Sequence, residues 1–74
     1  MNKSYIEFEL IEEKPKTKVF NVKNKNSSVI LGIIKWFSSW RQYCFFPSEE
    51  TIFSYGCMNE VIDFIQELMK ERKG

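Results

Sequence analysis

The 74-residue chain contains no histidine. That removes the commonest general base and the commonest metal ligand together. Its two cysteines, Cys44 and Cys57, form no Cys-x-x-Cys pair and lack a histidine to complete a zinc set. Glycine occurs only at Gly32, Gly56 and Gly74, too scattered to build a loop that cradles phosphate. Ser38, Ser39 and the cysteines are nucleophile types, but none stands in a catalytic motif. Glu49 and Glu50 are neighbours in a turn, where paired carboxylates are normally just solvated. No run approaches the roughly 20 apolar residues of a membrane span. The residues after Met1 alternate with acids and lack the apolar stretch of a secretory signal. These absences set the first expectation: a cytoplasmic, non-catalytic protein with no cofactor, no metal and no membrane association, its thiols free and packed as small hydrophobes.

Acids are missing from one long stretch. From Lys14 to Arg41 every charged side chain is positive: Lys14, Lys16, Lys18, Lys23, Lys25, Lys35 and Arg41. The acids lie before it, at Glu7, Glu9, Glu12 and Glu13, and after it from Glu49 onward. The net charge of +1 thus hides a basic middle between acidic flanks, which either pack beside it and neutralise it or leave it open.

Aromatic residues, by contrast, are abundant at 16%, seven of them Phe, within a hydrophobic share of 43%. One large ring removes more surface from water than two small aliphatics. A disordered chain lacks such apolar area. The length sets a ceiling of one domain, residues 1–74, with a single modest core.

Residues 4–11 alternate with period two, Ile6, Phe8 and Leu10 against Tyr5, Glu7 and Glu9, which predicts a half-buried strand. Further strands are expected at about 16–23, 29–37 and 40–46, separated by Pro15, by Asn24 to Ser27 and by Ser38–Ser39. Thr51 to Phe53 is either a short strand or the approach to a helix. Over about 57–72 the period changes: Met58, Val61, Ile62, Ile65, Leu68 and Met69 recur at three and four, the pattern of an amphipathic helix. Ser54 or Gly56 is placed to open it, with acids early and Lys70, Arg72 and Lys73 late, as the helix dipole favours. The expected fold class is α+β: a curved antiparallel sheet of about four strands with one C-terminal amphipathic helix packed on one face.

Two-residue turns at Lys25–Asn26 and Ser38–Ser39 would set the register. Phe20 then meets Leu31, Val22 meets Val29 and Lys18 meets Ile33; Trp36 meets Arg41, Ile34 meets Tyr43, Gly32 meets Phe45, Lys35 meets Gln42, Ile33 meets Cys44 and Leu31 meets Phe46. The face holding Phe20, Val22, Val29, Leu31, Ile33, Cys44 and Phe46 is almost wholly apolar and is the expected seat of the helix. The other face holds Thr17, Val19, Asn21, Ile30, Gly32, Ile34, Trp36, Arg41, Tyr43 and Phe45, and either the first strand crosses it or it stays partly open. A one-residue bulge would exchange the two faces.

The residues singled out for binding are Lys35, Trp36, Trp40, Arg41 and Tyr43. Arg beside Trp suits stacking and cation–π contact, and a guanidinium can fork to phosphate or guanine. The set therefore reads as a surface for nucleic acid, DNA or RNA. Alternatively it is the hot spot of a protein interface, in a homodimer or a phage-type inhibitor of a host protein, because Trp, Tyr and Arg dominate such sites. The third reading is structural, with Trp36 and Tyr43 in the core and Arg41 covering Trp36.

The run Leu31 to Trp36, then Trp40, Arg41, Gln42, Tyr43, Cys44, Phe45, Phe46 and Pro47, resembles a small family of bacteria and their phages. Its pattern is L-G-x-I-K-W followed by W-R-x-Y-x-F-x-P, then a helix opened near a cysteine such as Cys57. The likeness covers about residues 17–68 and leaves out the first strand. It implies a small phage-type accessory protein and, since no activity is known for the family, no site residue. The order of three antiparallel strands then a helix also resembles sheet-reading DNA-binding domains of the AP2 and integrase type, in topology only.

Overall fold

The computed structural model describes residues 5–71. The expected strand start at Ser4 and the late helix cations Arg72 and Lys73 lie outside those residues. Strands β1 (Ile6–Glu13), β2 (Lys18–Asn24), β3 (Ile30–Phe37) and β4 (Gln42–Pro47) form one antiparallel sheet in the order β1-β2-β3-β4, followed by helix α1 (Tyr55–Glu71). The chain is therefore α+β, an open four-stranded sheet with its helix on one face. Residues 51–53 lead into the helix without forming a strand.

The loops are longer than two residues, and this resets the register. Asn24 N–H donates to Val29 O at 2.9 Å, closing a loop over Lys25 to Ser28. The Asn24 side-chain oxygen accepts from the N–H groups of Asn26 and Ser27 at 2.8 and 3.2 Å. In the next hairpin Phe37 faces Gln42 across Ser38 to Arg41, and Phe37 O accepts from the N–H groups of Trp40 and Arg41. Both loops end on a residue in the left-handed region, Ser28 at φ 62° and Arg41 at φ 55°. Two-residue hairpin turns need Gly or Asn at positions of positive φ, which Ser38–Ser39 does not supply, whereas a longer loop places one such residue at its end.

Each expected pairing is displaced accordingly. Trp36 faces Tyr43, Ile34 faces Phe45, Lys35 faces Cys44, Ile33 faces Phe46 and Gly32 faces Pro47. That slide of two residues keeps the β3 and β4 faces as expected. Between β2 and β3, however, Phe20 faces Ile34 and Val22 faces Gly32, a slide of three. The extra residue is Leu31, which bulges out of β3 between the Val22–Gly32 and Lys23–Ile30 pairs. The bulge turns β2 over relative to β3.

The helix consequently covers Phe20, Val22 and Leu31 as expected, but on β3 and β4 it lies over Ile34, Tyr43 and Phe45 and not over Ile33, Cys44 and Phe46. Val22, Ile34 and Tyr43 are buried with Ile6, Leu31, Val61 and Leu68, and Phe20, Trp36, Phe45 and Phe64 pack around them. Ile33, Cys44 and Phe46 belong to the face without a helix. The first strand does not cross that face; β1 extends the sheet beside β2, with Glu9 salt-bridged to Lys23 at 3.4 Å. In β1 the alternation holds for Ile6 and Phe8, which are covered, but Leu10, two residues further on, is exposed. Ile11 forms a second bulge, which carries the strand on to Glu13.

The helix begins two residues earlier than expected. Ser54 caps it: its hydroxyl oxygen accepts from Cys57 N–H at 3.2 Å and its carbonyl from Met58 N–H at 3.0 Å. The first turn therefore carries no acid, and Lys70 stands in the last turn. The helix backbone runs nearest β4. Toward β1 and β2 the gap is filled by rings, Phe64 stacking on Phe8 at 4.0 Å and meeting Phe20 edge-on at 4.8 Å.

Gly32 is the tightest point of the sheet. A Cβ there would lie 2.6 Å from the Phe45 ring and 2.7 Å from the Phe46 carbonyl oxygen. The ring lies across Gly32 although the facing residue is Pro47. Gly32→Ala should cost about 1–3 kcal/mol, because one of the two obstacles is backbone. Urea denaturation followed by circular dichroism measures this, and an unchanged midpoint would contradict the packing described.

Candidate functional site

The five residues expected to act together are divided among three places. Tyr43 is 5% exposed in the core beneath the helix, with Trp36 edge-on to it at 5.5 Å. The Tyr43 hydroxyl oxygen accepts from Lys18 N–H at 3.1 Å, tying β4 to the start of β2. Lys35 points to the other face, its ammonium 5.0 Å from the centre of the Phe46 ring. Trp40 and Arg41 sit in the β3–β4 loop. Trp40 is 66% exposed, with its ring edge-on to Phe37 at 5.1 Å.

The uncovered sheet face carries Lys23 and Asn21 of β2, Ile33, Lys35 and Phe37 of β3, and Cys44 and Phe46 of β4. Phe37 and Phe46 were not among the expected site residues, yet they meet at 6.0 Å and form the aromatic part of this face. The basic middle of the sequence does not become a uniform basic surface. Lys23 is paired with Glu9, and Lys18 reaches Glu71 at 3.9 Å. Lys14 and Lys16, in the β1–β2 turn, lie at the same end of the sheet as Arg41. A recess of about 170 Å³ at that end brings Lys14, Lys16 and Lys18 together with Glu13 and Glu71, so it carries both signs of charge.

A different feature is chemically uniform. Between β4 and the first half of α1 runs an open groove of about 370 Å³, lined by Phe45, Pro47, Phe53, Met58, Val61, Ile62 and Ile65. Every lining residue is apolar. Beside it, Ile52 is 92% exposed and Tyr55 81%. Phe53 is held at the groove floor by an edge-on contact with Phe45 at 5.1 Å. The loop leading there is tied down by the Thr51 hydroxyl, which donates to Ser48 O at 2.9 Å. The segments that form it carry acids and no base: from Gln42 to Met69 there is no Lys or Arg, while Glu49, Glu50, Glu60, Asp63 and Glu67 fall in that stretch. The sequence signal for this groove was the apolar pair Ile52–Phe53 within a turn, followed by a helix stripe too wide for one sheet face.

Among the described residues, no group of three or more His, Cys, Asp or Glu side chains is placed to hold a metal ion. None of their helices is long and apolar enough to cross a membrane. Both cysteines are free and half-buried.

Fold and site together define a small α+β protein with one covered sheet face and an apolar groove at the sheet edge. The chain belongs to the family of the "Uncharacterized 9.3 kDa protein" of Acholeplasma phage L2, with which it is 38% identical over 58 residues, 78% of this chain and 74% of the phage protein. No family model matches the chain. No solved structure matches it either.

Separation of the five residues has a measurable consequence. Tyr43→Ala should cost about 3 kcal/mol or more, as for a large buried ring. Trp40→Ala, which loses one ring contact at an exposed position, should cost under about 1 kcal/mol. Equal losses in urea denaturation would contradict the placement.

Proposed function

We propose that this protein is a non-catalytic protein-binding module of the cytoplasm, which docks an apolar protein surface into the groove between β4 and α1. The observation that carries the reading is the wholly apolar lining of that groove, continuous with the exposed Ile52 and Tyr55. Contiguous exposed apolar surface rimmed by polar groups is characteristic of protein interfaces, and it is costly to keep in water otherwise. The acidic charge of the segments that build it disfavours a polyanion at this place. The phage source of the relative accords with an accessory protein that engages another protein, of phage or host. A photo-reactive phenylalanine in place of Ile62, at the groove, should form a discrete protein adduct in cells, and the same group in place of the distant Lys25 should not. Absence of an adduct at position 62 would overturn the reading.

One observation favours a second reading. Trp40, exposed beside Arg41, stands at the sheet end that also holds Lys14 and Lys16, a combination suited to stacking on a base while holding phosphate. On that reading Lys35, Trp40 and Arg41 contact nucleic acid, and Trp36 and Tyr43 support them from the core. Single- and double-stranded oligonucleotides should then bind at low salt, quench Trp fluorescence and dissociate as salt rises. No binding at low salt would eliminate it.

A further inference from the structure

The sheet has two edges, β1 and β4. They differ in charge. β1 carries Glu7, Glu9, Glu12 and Glu13, which repel a second strand of the same kind. β4, from Gln42 to Pro47, carries no charged side chain at all. An uncharged, aromatic edge strand is a pairing surface that natural sheets otherwise blunt.

The polar groups available for pairing follow from the ladder. Ser48 N–H donates inward, to Leu31 O at 2.8 Å. By antiparallel alternation Tyr43 and Phe45 turn their N–H and C=O groups outward, while Pro47 turns out only its carbonyl.

Charge then selects a direction. Arg41 precedes the strand, and Glu49 and Glu50 follow it. Among the described residues none of these three forms an ion pair. Parallel pairing of two copies sets Arg41 against Arg41. Antiparallel pairing centred on Phe45 sets Arg41 against Glu49 and Trp40 against Glu50, and two-fold symmetry makes each contact twice.

We infer that the groove is occupied by a second copy of this chain, joined through antiparallel β4 strands with Phe45 at the two-fold axis. The inference rests on reading the groove as a protein-binding site and names its occupant. Phe45 of each copy exchanges both backbone hydrogen bonds with the other. Tyr43 N–H donates to the Pro47 carbonyl of the second copy, so the prolines leave one outward acceptor per copy, the Tyr43 carbonyl, without a donor. Because α1 runs nearest β4, the two helices come side by side with the exposed Met58 and Ile62 between them. The loop of each copy brings the Trp40 ring to the Pro47–Phe53 segment of the other, where it leaves water.

Sedimentation velocity on the full chain, from micromolar to millimolar, tests this. The expected mass is twice the 8.9 kDa chain. Arg41→Glu creates like-charge pairs at two symmetric places and should weaken the dimer at least about tenfold. Adding Glu49→Arg in the same chain should restore it. Glu49→Arg alone should weaken it equally and serves if the first variant fails to fold, as judged by circular dichroism. A chain that is monomeric throughout, or a dimer indifferent to these charges, overturns the inference. The photo-adduct at position 62 separates the two levels. An adduct with a different protein alongside a monomeric chain overturns the dimer and preserves the protein-binding reading, whereas no adduct overturns both.

Discussion

The rest of the structure depends on one packing event, the burial of Val22 and Ile34 beneath Val61 and Leu68. Among the described residues a single helix covers the sheet. Strands about 4.8 Å apart make a four-stranded sheet wider than the roughly 10 Å diameter of a helix. Here the helix backbone runs close to β4, and the phenyl rings of Phe8, Phe20 and Phe64 fill the remaining width. Two consequences follow from this single choice. Among the described residues the opposite face has no second layer, and the helix stripe at Met58, Ile62 and Ile65 lies along β4 and makes the groove.

Face selection in turn rests on the Leu31 bulge. Without it, Val22 and Phe20 would share a face with Ile33 and Phe46, and the most apolar surface would be elsewhere. With it, Val22 and Phe20 share a face with Ile34 and Phe45, and the Ile34 side chain is fully buried. Leu31 itself joins the core, so the residue that breaks the ladder recovers part of the lost pairing by burying a large aliphatic side chain.

The elements were legible in the sequence because the first strand and the helix have a clear period and turn residues separate the strands between them. Ile6 and Phe8 alternate, Val61, Ile62, Ile65 and Leu68 recur at helical spacing, and Ser54 offers a capping hydroxyl. Register was not legible. It depends on loop length, and Asn24 closing a loop with its side chain or Arg41 adopting a left-handed conformation has no periodic signature. A bulge is equally silent, since Leu31 sits in a run of β-branched and aliphatic residues where either face is plausible. The site suffered for the same reason: Trp36 and Tyr43 are of interface type by composition, but the slide of β3 against β2 places them under the helix. Trp40 and Arg41, expected to open the fourth strand, lie instead in the loop before it, and the groove needs Phe45, Phe53 and Ile62 to converge from three segments.

Everything said of the groove and of the open face requires that the helix cover Ile34 and leave Ile33 outside. Nuclear Overhauser contacts between the methyl groups of Ile34 and those of Val61 and Leu68 test this most directly. The account predicts strong contacts from Ile34 to both helix residues and none from Ile33. Contacts from Ile33 to Val61 or Leu68, with Ile34 silent, would contradict it and place the helix on the opposite face.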